Sequence, residues 1–504
     1  MAWFWKWSLI ALGIGASGLQ PSLATGAEGH EKARGLERSQ PLTSALAGTC
    51  AAHATLFEAP LDRERSLGLP LATAPFPSDN SSSCALGGTG SFGPQPSPAS
   101  VGGPLEQHAS RPTGASVADP LGAPFEPAGS ASADALDEAL QDPEIMAALG
   151  LVSWSPEGFG PAGLGGSAGV EESLPMAEWL FLETEHFRWA SSCGSDTLKT
   201  EDRERLEPLF ALLREHDVPV AKRPRKLTPR LRLLVMALRA EELYDRFLEL
   251  VGHADGDFPA TRQAEGPYMG NGRYLGEADK FELIVHASER THNMFTLDHM
   301  GATVTGSLRW HFRDPHKLFA SVPASDSDLR KDRWLWPHIA HNLGHMFLAA
   351  YKHFSYQPPV WLDEGFALLL EREAEPTSIT TEGEEGTLNE DVRASDWKSM
   401  LRKIERKEEP RIATLMTYQT LGQLTEQEAA SCWSRVRFMV DEHPAAFAEL
   451  LGGLKGQLDS EGYPTGADLP GLTRKLWKQH FEWTPQDFDT AYFAWLPGFI
   501  DAIE

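Results

Sequence analysis

Two successive amphipathic helices are predicted between Trp334 and Glu373, because apolar side chains recur there every three or four residues. The break between them falls at Pro358 and Pro359, since proline ends one helix and is tolerated in the first turn of the next. Pro337, near the start of the first helix, is interpreted as another first-turn proline. The pattern therefore predicts a helical hairpin in the second half of the chain.

The segments around this hairpin alternate between strand and helix patterns. Strands are predicted where aromatic and β-branched residues cluster or alternate with polar ones, and helices where the apolar period is close to four. The predicted order is a strand at 179–191, helices at 200–216 and from Thr228 to about residue 250, strands at 281–287 and 306–312, the hairpin, and helices at 395–406, 425–441, 445–456 and around 469–496. This order indicates an α+β fold with a mostly helical C-terminal part.

The first 175 residues differ in composition from the rest. Residues 28 to about 130 are rich in Ala, Gly, Pro and Ser, so they cannot bury enough apolar surface to offset chain entropy. A short helix is expected within 132–149, and 158–169 again has the composition of a linker. We expect 28–175 to form a disordered, low-complexity tether and linker, with order resuming near residue 176.

The first 27 residues have the pattern of a secretory signal peptide. Lys6 precedes an apolar run at 7–18, and Ala24 and Ala27 are small residues that suit signal-peptidase cleavage. The competing interpretation is an uncleaved membrane anchor, but the apolar run is shorter than the ~20 residues that a spanning helix needs. We therefore expect a secreted or periplasmic protein, without stable membrane insertion once the signal peptide is removed.

Charge and cysteine content limit the classes of partner and the compartment. The formal net charge of −26 argues against nucleic acid as a partner, because phosphate binding needs clustered Lys and Arg. The acidic segment 377–391 is interpreted as a solvated loop, with a cation-binding or gating role as the alternative. Cys50, Cys84, Cys193 and Cys432 allow three disulfide pairings in an oxidising compartment, and free thiols are equally compatible with their spacing.

The helical hairpin carries three residues that suit a zinc ion. His341 and His345 are four residues apart, so they lie one turn apart on one helix face and can chelate one ion. Glu364 follows His345 after an interval of eighteen residues, which is long enough for the second helix to return beside the first. Two imidazoles, one carboxylate and an open position make a catalytic zinc arrangement. We therefore predict one zinc ion bound by His341, His345 and Glu364.

The histidine pair, the eighteen-residue interval and the sequence WLDEGFA around Glu364 resemble the gluzincin metallopeptidases, whose signature is HExxH followed by a downstream glutamate. The resemblance is sharp over about forty residues and loose from about residue 176 onward. It implies a small mixed sheet packed on the zinc helices, with an edge strand, here 306–312, that pairs with substrate backbone. It divides the folded part into 176–330, zinc helices at 331–375, and an acidic loop with a helical subdomain at 376–504.

Asn342 departs from the family signature, which has glutamate after the first histidine. An amide can hold the attacking water by hydrogen bonds, but it cannot take a proton near neutral pH. General-base assistance typically contributes ~10²- to 10⁴-fold to the rate, so the resemblance implies an impaired peptidase. His338, one turn before His341, is a weak candidate for a substitute base, and Tyr418 is a weak candidate for a transition-state donor.

Carboxylates that orient the zinc ligands are also expected from the resemblance. Some gluzincins have one four residues after the glutamate ligand, but this chain has Leu368 there, so such a group has to come from elsewhere. Asp363 is expected to point away from the site and to act as a helix-start residue or an outer carboxylate.

Three functions remain compatible with the sequence. The first is a secreted zinc-binding metallopeptidase homologue with impaired catalysis, a pseudoenzyme that binds a peptide or protein or acts as a scaffold. The second is an active zinc hydrolase that uses another general base. The third is a structural descendant that has lost the metal. Metal content separates the third from the others, and a turnover assay separates the first two.

Overall fold

The structure of this protein is a computed structural model that describes residues 133–161, 164–263, 265–312, 316–325, 328–380 and 397–503. The predicted signal peptide at 1–27, most of the predicted tether and most of the acidic loop lie outside these residues. The described residues form an α+β fold with a mixed sheet, a helical hairpin and a helical C-terminal part, as the sequence predicts.

Six strands form the main sheet, and two short strands form a separate ladder. The strands are β1 (Leu151–Ser153), β2 (Leu180–Thr184), β3 (Phe187–Ser191), β4 (Asp196–Thr197), β5 (Lys226–Leu227), β6 (Phe281–His286), β7 (Leu308–Phe312) and β8 (Lys317–Pro323). The order in the sheet is β1-β2-β3-β6-β8-β7, in which β6 pairs in parallel with β3 and β8, and the other pairs are antiparallel. β7 is therefore an edge strand.

Helices surround the sheet and make up the C-terminal part. They are α1 (Ala133–Ala139), α2 (Pro143–Ala148), α3 (Gly166–Ser173), α4 (Thr200–Glu215), α5 (Pro229–Val251), α6 (Glu289–Met300), α7 (Asp332–Ala350), α8 (Val360–Ala374), α9 (Trp397–Lys407), α10 (Ile412–Leu415), α11 (Glu426–Glu442), α12 (Pro444–Leu454), α13 (Leu469–His480) and α14 (Pro485–Ala502). None of these helices of the described residues combines the length and apolar character that crossing a bilayer requires.

Phe347 of α7 fixes the hairpin against the sheet. Its ring lies 5.3 Å from that of Phe281 on β6 and 6.1 Å from that of Phe187 on β3. On the α5 side it lies 5.5 Å from Phe247 and 5.7 Å from Tyr244. Aromatic pairs at such distances contribute about 0.5–1.5 kcal/mol each beyond area burial. The first helix of the hairpin is thus held by the sheet and by α5 at once.

Two glycines allow the hairpin helices to pack unusually closely. A Cβ at Gly344 of α7 would lie 2.8 Å from the Cα of Ala367 on α8. A Cβ at Gly365 of α8 would lie 2.5 Å from the carbonyl oxygen of Cys432 on α11. Both contacts are with backbone atoms, which cannot move aside as a side chain can. α8 is therefore clamped between α7 and α11.

Residues 133–175 carry more secondary structure than the sequence predicts, since only a short helix within 132–149 was expected there and the rest was expected to be linker. α1, α2, β1 and α3 all lie in this segment, and β1 pairs with β2 in the main sheet. The apolar residues responsible are few and are separated by Gly and Pro, so an average over the segment hides them. Leu140 and Val170, for example, are fully buried, and the Trp154 indole donates to the Leu140 carbonyl over 2.7 Å.

A buried ion cluster attaches the same segment to the sheet. Lys317 of β8 donates to the carbonyls of Gly158 and Gly160 over 2.7 and 3.2 Å, and to Glu282 of β6 over 2.8 Å. The other carboxylate oxygen of Glu282 accepts from the Gly160 amide over 2.8 Å. Arg188 of β3 completes the cluster, 3.2 Å from Glu282. Burial raises the pKa of Glu282 to about 7 despite these contacts.

Two strand predictions are wrong in detail. The single strand expected at 179–191 is a hairpin of β2 and β3, because the chain turns at Glu185 and His186. This turn has no Gly, Pro or Asn, and the Glu241 carboxylate stabilises it by accepting from the backbone and the ring of His186. β8, a fully buried strand between β6 and β7, was not predicted, since a continuous buried run has no alternation.

Helix predictions agree more closely, although α6 was not predicted and the position of Pro337 is corrected. Thr228 caps α5 by accepting from the Leu231 amide, and Pro229 occupies the first turn, as predicted. Pro337 is not a first-turn proline, because α7 begins at Asp332 and Pro337 lies in its second turn. The helix there lacks one backbone hydrogen bond, to the Arg333 carbonyl. Packing of α7 against the sheet and α5 has overridden the local preference.

The cysteines that the structure describes do not form a disulfide. Cys193 and Cys432 are both buried and free, and burial raises the pKa of each thiol. Of the three possible pairings, the one that would join Cys193 to Cys432 is therefore not formed. Cys50 and Cys84 lie outside the described residues.

Candidate metal centre

The connection between α7 and α8 is held by a buried lysine. Lys455, which follows α12, is fully buried and donates to the carbonyls of Ala349, His353 and Tyr356 over 3.1, 2.8 and 3.1 Å. Burial lowers the pKa of its amine to about 7. These bonds satisfy one carbonyl of the last turn of α7, that of Ala349, and two carbonyls of the connection that follows it. They determine how α8 returns beside α7.

The hairpin brings the three predicted ligand residues together. His341, His345 and Glu364 are all buried, and one ligand atom from each lies within 4.8 Å of the others. The Nε2 atoms of the two histidines are 3.2 Å apart. Oε2 of Glu364 lies 3.5 Å from Nε2 of His345. The structure thus groups two imidazoles from α7 and a carboxylate from α8.

These separations fit a tetrahedral zinc ion. Ligand atoms at 2.0–2.1 Å from a tetrahedral centre are about 3.4 Å apart, close to the observed 3.2 and 3.5 Å. In addition, Oε2 of Glu364 is buried and has no hydrogen-bond donor among the described residues. A buried carboxylate oxygen without a donor is costly unless a cation is close. The residues therefore suit a divalent ion.

Two further carboxylates face the other nitrogens of these histidines. Nδ1 of His341 donates to Glu371 over 3.0 Å. Nδ1 of His345 lies 3.0 Å from Oδ1 of Asp363, an ion-pair contact without hydrogen-bond geometry. A carboxylate hydrogen-bonded as Glu371 is to His341 orients the imidazole and makes its other nitrogen a better ligand. Because both Nδ1 atoms face carboxylates, both Nε2 atoms are directed towards the shared site.

Glu371 is held as an anion. Burial raises its pKa, but hydrogen bonds from His341, Ser378 and Thr380 outweigh that effect, and the pKa lies below its usual value of 4.5. The Ser378 and Thr380 hydroxyls donate over 2.7 and 2.9 Å, and the Thr380 amide donates over 3.0 Å. The segment after α8 thus completes the surroundings of His341.

Glu371 was not predicted from the sequence, and Asp363 lies where it was not expected. Glu371 lies seven residues after Glu364, two helical turns along the same face of α8, so helical spacing was the signal that could have found it. Asp363 was expected to point away from the site, but it faces His345 and also lines the adjacent cavities. Leu368, in contrast, is fully buried in the core.

Asn342 is fully buried and its amide is already engaged. Its Oδ1 accepts from the Arg309 guanidinium of β7 over 3.0 Å. Its Nδ2 donates to the His338 carbonyl over 2.9 Å, one turn back along α7. The position that carries a glutamate base in the gluzincin signature therefore carries an amide that is hydrogen-bonded to an arginine. The contact from Arg309 was not predicted from the sequence, because Arg309 belongs to a different element, β7.

His338 is not placed as a substitute base. Its Nε2 lies 2.6 Å from the Ser307 hydroxyl and 3.3 Å from Nδ2 of Asn342, and its Nδ1 lies 3.5 Å from the Thr380 hydroxyl. The ring is buried and does not belong to the group of ligand atoms formed by His341, His345 and Glu364. Its contacts favour a packed, hydrogen-bonded histidine.

Tyr418 lies near the site but is committed elsewhere. It lines a cavity of about 370 Å³ together with Asp363. Its hydroxyl donates to Glu428, whose carboxylate also caps α11 by accepting from Thr425. The hydrogen bond to Glu428 raises the pKa of Tyr418 to about 12. A transition-state donor role would require this bond to break.

A cleft runs between β7 and the hairpin. A cavity of about 300 Å³ is lined on one side by Leu308, Arg309, Trp310 and His311 of β7, and on the other by His345 and Asp363. It shares Gln357, Asp363 and Leu421 with the 370 Å³ cavity. We refer to the two cavities together as the cleft. Edge strand, cleft and candidate metal centre are therefore adjacent.

Comparison of the chain with protein-family models and with curated protein sequences gives no match.

Proposed function

We propose that this protein is a secreted zinc-binding homologue of the gluzincin metallopeptidases that binds peptide in its cleft and hydrolyses it poorly. The single observation that carries the proposal is the pairing of a complete ligand set with Asn342 at the base position. The ligands and their carboxylate partners are present, whereas the amide of Asn342 is bound to Arg309.

Zinc is the ion that the ligand set favours. Two imidazoles and one carboxylate suit zinc, and the observed spacings fit its tetrahedral geometry. A bound zinc ion would supply Lewis acidity towards a substrate carbonyl and a water molecule. Three buried carboxylates, Asp363, Glu364 and Glu371, surround the two histidines, so a divalent cation would also offset their charge.

Impaired hydrolysis follows from what Asn342 and Arg309 do to proton transfer. Asn342 has no basicity near neutral pH, and His338 is engaged by Ser307 and Thr380. The guanidinium of Arg309 places a positive charge beside Asn342. This charge disfavours protonation of any neighbouring group that could otherwise act as the base. Among the described residues, neither Asn342 nor His338 is therefore available to accept the proton.

Peptide is the favoured occupant of the cleft because β7 is an edge strand. The backbone groups on the outer side of such a strand can pair with an extended peptide, and pockets beside the strand then select side chains. Trp310, which is 40% exposed and lines the cleft, offers an aromatic surface for such contacts. Secretion is proposed from the Lys6 and apolar pattern of the first 27 residues.

The test combines metal content with hydrolysis and binding of one probe. The wild type, His345→Ala and the control His480→Ala are purified without added zinc, and metal per chain is measured. Each protein is then incubated with fluorescein-labelled casein, and both cleavage and retention on the immobilised protein are followed.

We expect the wild type and His480→Ala to hold one more zinc ion per chain than His345→Ala, slow cleavage throughout, and retention of casein by the wild type. Ordinary enzymatic cleavage by the wild type, abolished by chelation and by His345→Ala, would replace the proposal with an active hydrolase that uses another base. Equal metal content in the wild type and His345→Ala would show that His341, His345 and Glu364 do not bind the ion.

A further inference from the structure

A second group of potential ligands lies at the other end of the strand that borders the cleft. Glu277, His311 and His316 each place one ligand atom within 4.8 Å of the others. Glu277 precedes β6, His311 lies on β7, and His316 immediately precedes β8. The three residues share no atom or element with His341, His345 and Glu364. Folding of the sheet edge brings them together.

The first two residues of this group are held in place. Oε2 of Glu277 lies 3.3 Å from Nε2 of His311, and both side chains are largely buried, at 7% and 11% exposed. The His311 ring stacks on Phe354 of the connection between α7 and α8, with ring centres 4.0 Å apart. The backbone of Glu277 is fixed by reciprocal hydrogen bonds with Tyr274. An ion would therefore meet two ligands that are already oriented.

The third residue supplies access from solvent. His316 is exposed, and its ring centre lies 6.3 Å from that of His311. It adopts a left-handed backbone conformation, with φ of 51°, at the start of β8. An exposed ligand beside two buried ones gives an ion a path into the site.

We propose that Glu277, His311 and His316 bind a second divalent ion of the zinc, nickel or copper class. Two imidazoles and a carboxylate are the ligand types that such ions prefer over Mg²⁺ or Ca²⁺, which favour oxygen ligands alone. The alternative is that His311 and Glu277 form only an ion pair and that His316 binds no ion. The two alternatives differ in whether the exposed His316 contributes to metal uptake.

The location gives such an ion a consequence for the cleft. His311 and Arg309 are two residues apart on β7 and therefore point to the same face of the sheet. That face meets the hairpin, because Arg309 contacts Asn342 and His311 stacks on Phe354. An ion on His311 would fix this end of β7 relative to Glu277 and the start of β8, and would thereby hold the strand side of the cleft in place.

The experiment counts zinc equivalents in the full chain after chelation and removal of the chelator. Wild type, His316→Ala, His345→Ala, the double variant and His480→Ala are titrated with Zn²⁺ against a chromophoric competitor. His480→Ala removes a partly buried imidazole outside both groups and controls for loss of a histidine as such. Circular dichroism of each apo protein establishes that it is folded. Glu277→Gln gives a second measurement at the buried ligand.

The expected result is two equivalents for wild type and His480→Ala, one for each single histidine variant, and none with comparable affinity for the double variant. Co²⁺ added to His345→Ala should give visible d–d absorption bands that Glu277→Gln, combined with His345→Ala, abolishes. Uptake by His316→Ala equal to that of the wild type overturns the proposal. Uptake by His345→Ala equal to that of the wild type would instead overturn the site at His341, His345 and Glu364. It would not contradict the site at Glu277, His311 and His316.

Discussion

The two walls of the cleft obtain their functional side chains in different ways. The helical wall, α7 and α8, carries the candidate ligands and the carboxylates behind them within one continuous stretch of about forty residues. The strand wall, β7, contributes Arg309 and His311, whose partners Asn342 and Glu277 are 33 and 34 residues away. In the helical wall, the spacing of residues along the helices therefore brings the functional side chains together. In the strand wall, they meet their partners only when the sheet packs against the hairpin.

The largest expected effect concerns the helical wall and its metal. His345→Ala should lose the zinc ion, and with it the stabilisation that a bound ligand confers, about 4 kcal/mol when free zinc exceeds the dissociation constant a thousandfold. Thermal unfolding with and without chelator measures this. Chelator should lower the melting temperature of wild type and of His480→Ala more than that of His345→Ala. The same response in all three proteins would show that the helical wall does not bind the ion through His345.

The next effect tests how tightly the helical wall is packed. Gly365→Ala should destabilise the fold by up to about 3 kcal/mol, because its Cβ would meet the Cys432 carbonyl of α11 at 2.5 Å. Gly498→Ala in α14 is the matched control. It has open space around the new methyl group and should instead stabilise slightly through helix propensity. Chemical denaturation compares the two. Equal effects would mean that α8 and α11 can separate at little cost.

The third prediction couples the two walls through Asn342 and Arg309. Asn342→Glu alone would place the new carboxylate against the guanidinium of Arg309. The guanidinium would lower the pKa of this carboxylate and hold it in an ion pair, so that it would be a poor base. Asn342→Glu combined with Arg309→Gln should raise peptide hydrolysis by up to ~10²-fold over wild type. Zinc content should stay the same in both variants, because neither residue is a ligand.

The control for that pair is Asn342→Gln, which has the length of glutamate without its basicity. If Asn342→Glu and Asn342→Gln hydrolyse peptide at one rate, with or without Arg309→Gln, then proton transfer does not limit the reaction. The impairment would then reside in the substrate contacts of the strand wall.

The smallest effect separates ligands from the carboxylates that orient them. Glu371→Gln keeps the shape of the side chain but removes the charge that faces His341. We expect zinc affinity to fall about 10- to 100-fold, compared with complete loss of the site in His345→Ala. Competition with a chromophoric chelator measures both. An unchanged affinity would show that Ser378 and Thr380 hold Glu371 for the fold alone.

Most of the helices and the candidate ligand residues of α7 could be picked out from the sequence because they depend on neighbours in sequence. His341 and His345 are one turn apart whatever the tertiary structure, and Thr228 with Pro229 marks a helix start by local chemistry. The order of strands and helices, read in the same way, was enough to indicate the α+β class.

The remaining features depend on contacts that no local pattern contains. β8 is buried on both faces and lacks alternation, and the turn at Glu185 and His186 is stabilised by Glu241 from another helix. Arg309 reaches Asn342 only because β7 is the edge strand beside α7. Pro337 shows the converse, since a local rule about proline was overridden by packing.

The ion cluster around Lys317 determines how short a fragment of this protein can be and still fold. A chain beginning at residue 176 would keep Lys317 and Glu282 but lose the Gly158 and Gly160 groups that bind them. Two buried charges would then lose hydrogen-bond partners, each at a cost of about 1–3 kcal/mol. Limited proteolysis should accordingly stop upstream of β1, and a recombinant fragment that starts near residue 130 should express as a folded protein where one starting at residue 176 aggregates.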